Sequence, residues 1–356
     1  MKLWGVAAAI VLVVALMSVD RNPPVTFADS RLETAAREAV GIEEGPLRRS
    51  DLLQLIELDA VGREIGCLGG LEECKGLVRL DLGENHVSDL APLASLERLE
   101  TLVLRSNRVT DAAPLAGLTQ LKLLDLDFNF VTDAAPLAGL SELRWLGLWN
   151  SGVSDLSPLA GLTELTELGL SGNPIDDFSP LAGLTRLTWL GLPNTGIEDL
   201  TPLAGLTSLV KLSLGGNRIV DLSPLSGLTG LEGLGLDSNR IVDVSPLAGL
   251  VGLRRLSLWG NRIEDVSPLA GLTRLEELWL DRNPISDIGI VSRMPELRIV
   301  GLSELDGVDL SPLLDNDGLG EGDVVDLTGL NLDGEGNALR VAEELAQRGA
   351  TVRGAP

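Results

Sequence analysis

Residues 209–229 read LVKLSLGGNRIVDLSPLSGLT, and this pattern returns every 22 residues without insertion through the middle of the chain. Three leucines stand at fixed spacings before Asn217, and the same spacing precedes the equivalent position of each repeat. Such a fixed period indicates a solenoid, in which each repeat buries its apolar side chains only by stacking on its neighbours. The equivalent positions are Asn85, Asn107, Asn129, Ser151, Asn173, Thr195, Asn217, Asn239, Asn261 and Asn283.

The leucines and the asparagine of each repeat have different structural roles. Alternate leucines point inward from a short strand. The asparagine follows the strand, where a buried amide can bond backbone groups that the turn leaves free. A repeat of 22 residues leaves too little chain for a full return helix. We therefore predict an α/β solenoid: a right-handed rod with a parallel concave β-sheet, a 3₁₀ or extended convex side, and helical caps at both ends.

A column of aspartates lies four residues after the asparagine column. Proline follows three residues later in nine repeats, from Pro92 to Pro268, and Ile290 ends that proline column. Like charges at one spacing suit a calcium ladder, but each aspartate opens a turn in which its carboxylate can accept backbone N–H bonds. We predict caps, not metal ligands. The aspartates are Asp89, Asp111, Asp133, Asp155, Asp177, Asp199, Asp221, Asp243, Asp265 and Asp287.

The sequence before the repeats predicts three segments. Residues 1–18 contain an apolar run and have the layout of a signal peptide, or of a signal anchor if the segment is not cleaved. Residues 19–25 form a linker. Residues 26–54 form an N-terminal cap, whose helix is predicted to open with a capping box from Ser30 to Glu33.

The repeats are predicted to fill residues 55–303, with a degenerate first coil, ten regular coils and a partial last coil. Residues 304–356 form the predicted C-terminal cap. Within it, Asn337 opens a helix that runs to about Arg348, and residues 350–352 add a closing strand.

The charge balance excludes one class of partner. Lys and Arg number 28 against 52 Asp and Glu, which gives a net charge of −24. Such a surface repels phosphate backbones, so nucleic acid is not predicted as a partner. No residue pattern for a cofactor is present. Cys67 and Cys74 can form a disulfide in an oxidising compartment, but Cys74 also falls on a core column and can be a buried thiol.

The string from Leu209 to Thr229 resembles the 22-residue repeats of bacterial internalin-like leucine-rich-repeat proteins. The resemblance covers about residues 55–303, and residues 316–352 also look like the C-terminal cap of many exported bacterial repeat proteins. It implies a curved rod that binds protein partners and is secreted or held in the cell envelope, periplasmic or extracellular. Surface internalins usually continue into an immunoglobulin-like domain and a wall-anchoring signal. The sequence shows neither, so binding is implied but host-cell invasion and wall anchoring are not.

Three variable positions per repeat alternate with the inward leucines and therefore point to the concave side. Five of the six tryptophans fall there and none falls in a leucine column. The predicted partner-binding residues are Trp145, Trp149, Glu167, Trp189, Lys211, Asp237, Arg255, Trp259 and Trp279. Small residues between them leave the backbone open and predict a trough. The trough residues are Gly147, Gly169, Gly191, Ser213 and Gly235.

These tryptophans favour a non-catalytic, monomeric protein-binding module, because exposed indole rings are typical of interaction sites. The alternative is that the rings pack across strands and shield a glycine-rich sheet. A second functional reading is a glycan-binding module, since Trp platforms beside polar residues also suit sugar rings.

Enzymatic function is not predicted. A polysaccharide hydrolase using Asp125, Asp127 and Glu167 is a distant third reading, because an open sheet excludes little water. His86 is the single histidine, and its proximity to Ser88 and Asp89 is interpreted as accidental. Residues 315–318 resemble the middle of an EF-hand loop, but the outer ligand positions hold apolar residues, so no metal site is predicted.

Overall fold

The computed structural model describes residues 22–305, 307–330 and 337–354. The signal segment predicted at residues 1–18 lies outside these. Within the described residues, fourteen strands form one sheet in which each strand pairs in parallel with the next along the chain. The predicted parallel-sheet solenoid is confirmed. The strands are β1 (Glu57–Asp59), β2 (Arg79–Asp81), β3 (Thr101–Val103), β4 (Leu123–Asp125), β5 (Trp145–Gly147), β6 (Glu167–Gly169), β7 (Trp189–Gly191), β8 (Lys211–Ser213), β9 (Gly233–Gly235), β10 (Arg255–Ser257), β11 (Glu277–Trp279), β12 (Ile299–Gly301), β13 (Val324–Asp326) and β14 (Thr351–Arg353).

Short 3₁₀ turns form the return side of the coils, as the sequence predicts. Proline fits the start of these turns because its missing N–H would have no partner there. The turns are Leu71–Glu73, Ala91–Leu93, Ala113–Leu115, Ala135–Leu137, Ser157–Leu159, Ser179–Gly183, Thr201–Leu203, Ser223–Leu225, Ser245–Leu247, Ser267–Gly271, Gly289–Arg293 and Ser311–Leu313.

The core is a stack of buried leucines, closed on one side by the asparagine column. Asn217 Nδ2 donates to the carbonyl oxygens of Leu192 at 2.9 Å and Leu214 at 2.8 Å, so one amide ties two coils together. Where a hydroxyl replaces the amide, Ser151 Oγ still donates to Leu126 O at 3.0 Å. The structural role predicted for this column is confirmed.

The aspartate column caps the convex turns. In each turn the aspartate carboxylate accepts a hydrogen bond from the backbone N–H two residues later in the chain. Asp199 Oδ1, for example, accepts the N–H of Thr201 at 2.8 Å. The Thr201 hydroxyl and this N–H hold the pKa of Asp199 below its usual value. The capping prediction is confirmed, and Asp309 adds a further cap that the sequence analysis missed. The described residues contain no cluster of three or more His, Cys, Asp or Glu side chains suited to a metal ion.

Helices lie at both ends of the sheet: α1 (Ser30–Val40), α2 (Arg49–Leu52) and α3 (Asn337–Gln347). The predicted capping box at Ser30 is wrong. Asp29 is the cap, and its side chain accepts the N–H of Arg31 at 2.9 Å. None of the helices in the described ranges is long and apolar enough to cross a membrane.

The C-terminal region contains one more coil than predicted. A 3₁₀ turn at Ser311–Leu313 and strand β13 continue the solenoid beyond residue 303, before α3 and the closing strand β14. The connection from β12 to β13 is longer than the 22-residue period, since Ile299 pairs with Val324, which is 25 residues later in the chain. The predicted helix from Asn337 and the closing strand are present. That α1 and α3 act as caps is a proposal.

The two cysteines are both free. Cys67 is exposed, whereas Cys74 lies in the core, where burial raises the pKa of its thiol to about 12. The sequence left open a disulfide between the two cysteines or a buried thiol at Cys74, and the structure shows the buried thiol.

Candidate functional site

The five described tryptophans lie on the outward side of the sheet, which we call the concave face. Trp145 and Trp189 begin β5 and β7, and Trp279 ends β11. Trp149 and Trp259 lie two residues beyond the ends of β5 and β10. All five are half-buried, and the leucines between them fill the core. The strand alternation therefore places these side chains as the sequence predicts.

Indole rings cover the glycines of the central strands. A Cβ on Gly147 would lie 2.6 Å from Trp145 Cη2, and one on Gly191 would lie 2.9 Å from Trp189 Cη2. A Cβ on Gly169 would overlap Trp149 Nε1. These three glycines are buried. The predicted trough is therefore wrong over β5–β7, because the rings lie on its floor and do not stand at its sides.

The covering rings form a joined aromatic surface. The ring centroids of Trp149 and Trp189 are 6.2 Å apart, and their planes are inclined by 30°. The exposed side chain of Glu167 begins the strand between them. Strands β5–β7, with Trp145, Trp149 and Trp189, are called the covered region below.

Strands β8–β10 carry the other part of the predicted trough, and no indole ring covers it. A Cβ on Gly233 would meet Lys211 Cγ at 3.5 Å, and one on Gly235 would meet Ser213 Oγ at 3.5 Å. These are ordinary contact distances, so both glycines leave open space. We call Ser213, Gly233, Gly235 and Ser257 the bare floor.

Charged side chains surround the bare floor. Arg255 Nε pairs with Glu277 Oε1 at 2.9 Å, and Arg254 pairs with Glu276. Lys211 is exposed and makes no ion pair within the described part of the chain. Asp237 leans over Gly215 at the downstream edge, and burial raises the pKa of its carboxyl. Lys211 and Arg255 thus line the same depression, whereas Asp237 lies beyond the end of β9 and outside that lining.

Two of the three carboxylates considered for hydrolysis, Asp125 and Asp127, accept hydrogen bonds from backbone groups. Asp125 Oδ1 accepts the N–H of Asp127 at 3.0 Å, and Asp127 Oδ1 accepts the N–H of Trp149 at 2.8 Å. Burial raises the pKa of Asp125, and burial together with the Asp125 charge raises the pKa of Asp127 to about 6. Each carboxylate therefore has a structural partner.

The remaining motifs also have structural partners. Asp89 accepts the N–H of Ala91, so it caps a turn and does not orient His86. His86 Nδ1 lies 3.0 Å from Asn85 O. In the EF-hand-like stretch, Asn316 is buried and its Nδ2 donates to Val291 O and Met294 O at 2.7 and 2.9 Å. Asn316 Oδ1 also accepts the N–H of Gly318 at 2.8 Å, so this side chain joins the convex side of its coil to the preceding coil and has a structural role.

The sequence analysis missed an exposed aromatic pair beside the covered region. Phe128 is 50% exposed and Phe130 is 61% exposed, on either side of Asn129. Phe128 also occupies a left-handed backbone conformation at φ 55°. The sequence from Asp127 to Phe130 could have indicated this pair, because this repeat alone has phenylalanine on both sides of its asparagine-column residue.

Comparison with known proteins gives the family and the fold. The family profile for leucine-rich repeats (two copies) matches residues 97–139, 141–183, 185–227, 207–249, 229–271 and 251–293, which together cover more than half of the chain. No curated protein sequence matches the chain.

Several solved structures are similar to this chain. An internalin (inlF) from Listeria monocytogenes is 29% identical with a TM-score of 0.73, over 83% of this chain and 96% of that one. A leucine-rich-repeat protein of Leptospira interrogans has a TM-score of 0.71 at 22% identity, over 80% and 74% of the two chains. The functional domain of InlJ from Listeria monocytogenes has a TM-score of 0.62 at 21% identity, over 94% of this chain and 62% of that one. At these lower identities the likeness concerns the fold.

Proposed function

This chain belongs to the leucine-rich-repeat family and its repeats are internalin-like, and from that premise we propose that it is a non-catalytic module whose protein partner docks on the concave face. Leucine-rich-repeat proteins are protein-interaction modules. The observation that carries the proposal is the position of the five described tryptophans, which all face outward and are half-buried while leucine fills the core. Indole rings held in this way are typical centres of binding energy.

The geometry of the carboxylates supports binding over catalysis. Asp125 and Asp127 use an oxygen to accept backbone N–H bonds, and both lie on an open sheet. An active site needs polar groups converging in a space from which water is excluded. A hydrolase is therefore the least supported of the three readings.

We place this binding outside the cytoplasm, in the cell envelope or the extracellular space. Support comes from the signal-like pattern of residues 1–18 and from the exported relatives that the repeats resemble. The working form is proposed to be a monomer.

The test is capture of partners from extracellular and envelope material by the full chain. A variant with Trp145, Trp149 and Trp189 changed to Ser is expected to lose the captured proteins. A control variant carries Val220→Ser, Val242→Ser and Val251→Ser, which remove exposed apolar side chains outside the five tryptophan positions, and it should bind like the parent. Circular dichroism monitors folding. Unchanged capture by the folded tryptophan variant would count against the concave face.

A second variant removes the risk that uncovering glycines disturbs the sheet. Among the glycines that the structure describes, none has the Trp259 ring among its nearest contacts, so Trp259→Ser changes the concave surface without uncovering a strand there. Weaker capture by this variant, with unchanged melting, is expected. A glycan array probed with the same proteins tests the alternative partner class, and binding to glycans alone would contradict a protein partner.

A further inference from the structure

Strand β9 differs from every other strand that the structure describes, because both of its outward positions are glycine. Gly233 and Gly235 flank the buried Leu234, and neither lies beneath an indole ring. A depression of about 360 Å³ lies over Gly233, with Gly235 outside its lining, and it is lined by residues of β7–β10 and by side chains just before β9, β10 and β11. A partner side chain can therefore approach the backbone at Gly233.

The floor of this depression has no free backbone hydrogen-bonding edge. β9 pairs in parallel with β8 on one side and with β10 on the other. A partner therefore cannot add a strand here, and recognition depends on the side chains around the floor. This restricts the occupant to an inserted side chain.

The charges around the floor favour an anion. The lining contains three cations, Lys211, Arg254 and Arg255, and two anions, Glu232 and Glu276. Arg254 pairs with Glu276, and Arg255 pairs with Glu277 outside the lining. The stem of Lys211 packs beside Gly233, and its ammonium has no ion-pair partner among the described residues. Within a chain with a net charge of −24, the lining thus contains one more cation than anions, and Lys211 is the cation of this set that has no ion pair among the described residues.

We propose that the depression over Gly233 receives an aspartate or glutamate side chain from the partner protein, held between the Lys211 ammonium and the Arg255 guanidinium. The inference rests on the proposed function and specifies the chemistry of the partner. Strands β8 and β10 lie about 10 Å apart, one on each side of β9, so the long side chains of Lys211 and Arg255 can both reach a carboxylate placed between them. Glu232 lines the same depression, which favours a singly charged carboxylate over a doubly charged phosphate.

A random 12-residue peptide library displayed on phage, selected on the full chain, tests this. The selected peptides are expected to share an Asp or Glu beside an apolar residue. Their affinity should fall about tenfold or more on the Lys211→Glu, Arg255→Glu variant, because two attractive contacts become repulsive. Lys122→Glu makes the same charge change at an exposed lysine that pairs with Glu100, and it should leave affinity unchanged.

A second variant tests the space independently of charge. Gly233→Val fills the depression, and the 3.5 Å clearance at this glycine allows the side chain without a clash. The variant should melt like the parent and bind the selected peptides about tenfold more weakly or worse.

Any of these outcomes would overturn the inference: no acidic residue among the selected peptides, equal binding by the charge-reversed variant, full binding by Gly233→Val, or tighter binding when the acidic residue is replaced by a phosphorylated one. The inference is also overturned if no peptide from the library binds the parent chain more tightly than it binds Gly233→Val. Peptides without acidic residues that still require Trp259 would overturn only this inference and leave the concave-face proposal standing.

Discussion

The covered region of β5–β7 and the bare floor of β8–β10 belong to one sheet with one leucine core, yet glycine has opposite roles in them. In the covered region each glycine makes room for an indole ring of the same chain, as Gly169 does for Trp149. On the bare floor Gly233 and Gly235 make room for nothing within the described chain. The comparison shows that a glycine column in a solenoid indicates close approach without indicating whether the approaching group is internal or belongs to a partner.

The largest expected difference between the regions is in the response to a side chain on glycine. Gly169→Val should lower the free energy of unfolding by about 2 kcal/mol, because the new atoms displace the Trp149 ring. Gly235→Val should leave it unchanged or raise it by up to about 1 kcal/mol, because the site is open and valine favours a strand. Urea unfolding followed by circular dichroism measures both.

This pair of variants also tests the description of the two regions. Equal destabilisation by both substitutions would show that Gly235 is as closely packed as Gly169, and the bare floor would not exist. Equal tolerance would show that Trp149 leaves its glycine at little cost, and the covered region would then be open to a partner as well.

The second expected effect is a pH dependence at Asp127, which lies beside the covered region and accepts the N–H of Trp149. Burial raises the pKa of Asp127 from 3.8 to about 6, so the folded chain keeps a proton there that the unfolded chain has lost. Stability from this group is therefore present at low pH and is lost as pH rises from about 4 to 6. Because Asp127 is partly exposed, we expect a loss of only about 1 kcal/mol.

Asp127→Asn should remove this decline, measured as the difference between parent and variant in urea unfolding at a series of pH values. Asp199→Asn is the control of opposite sign. Hydrogen bonds from Thr201 lower the pKa of this cap, so the stability it contributes is lost as pH falls. If stability fell with rising pH by the same amount in the parent and in Asp127→Asn, the result would contradict the burial of the Asp127 carboxyl.

The sequence predicted the features that follow from the repeat itself. The position of Asn217 in its repeat predicts its bonds to two coils, and the position of Asp199 predicts its cap, because backbone geometry recurs with the period. Strand alternation likewise placed the tryptophans on the concave face.

Side-chain direction on that face was not predictable. Trp145 and Trp189 extend along their own strands, whereas Trp149 reaches the next strand, and a period-two pattern does not distinguish these directions. The extra coil at β13 was missed for a related reason. Asp309 stands 22 residues after Asp287 and so keeps the register of the other caps, but the asparagine position of this coil holds Leu305 and β13 follows β12 by 25 residues, so the coil was not recognised.

The smallest expected effect is the coupling between the paired rings of the covered region. Trp149 and Trp189 have centroids 6.2 Å apart, so a double-mutant cycle with Trp149→Ala and Trp189→Ala should give a coupling energy of about 0.5 kcal/mol in urea unfolding. Trp259→Ala and Trp279→Ala form the matched cycle, because the described residues show no ring contact between these two. Their coupling should be near zero. Equal coupling in both cycles would mean that the rings interact through the shared sheet, and the covered region would owe no stability to its aromatic pair.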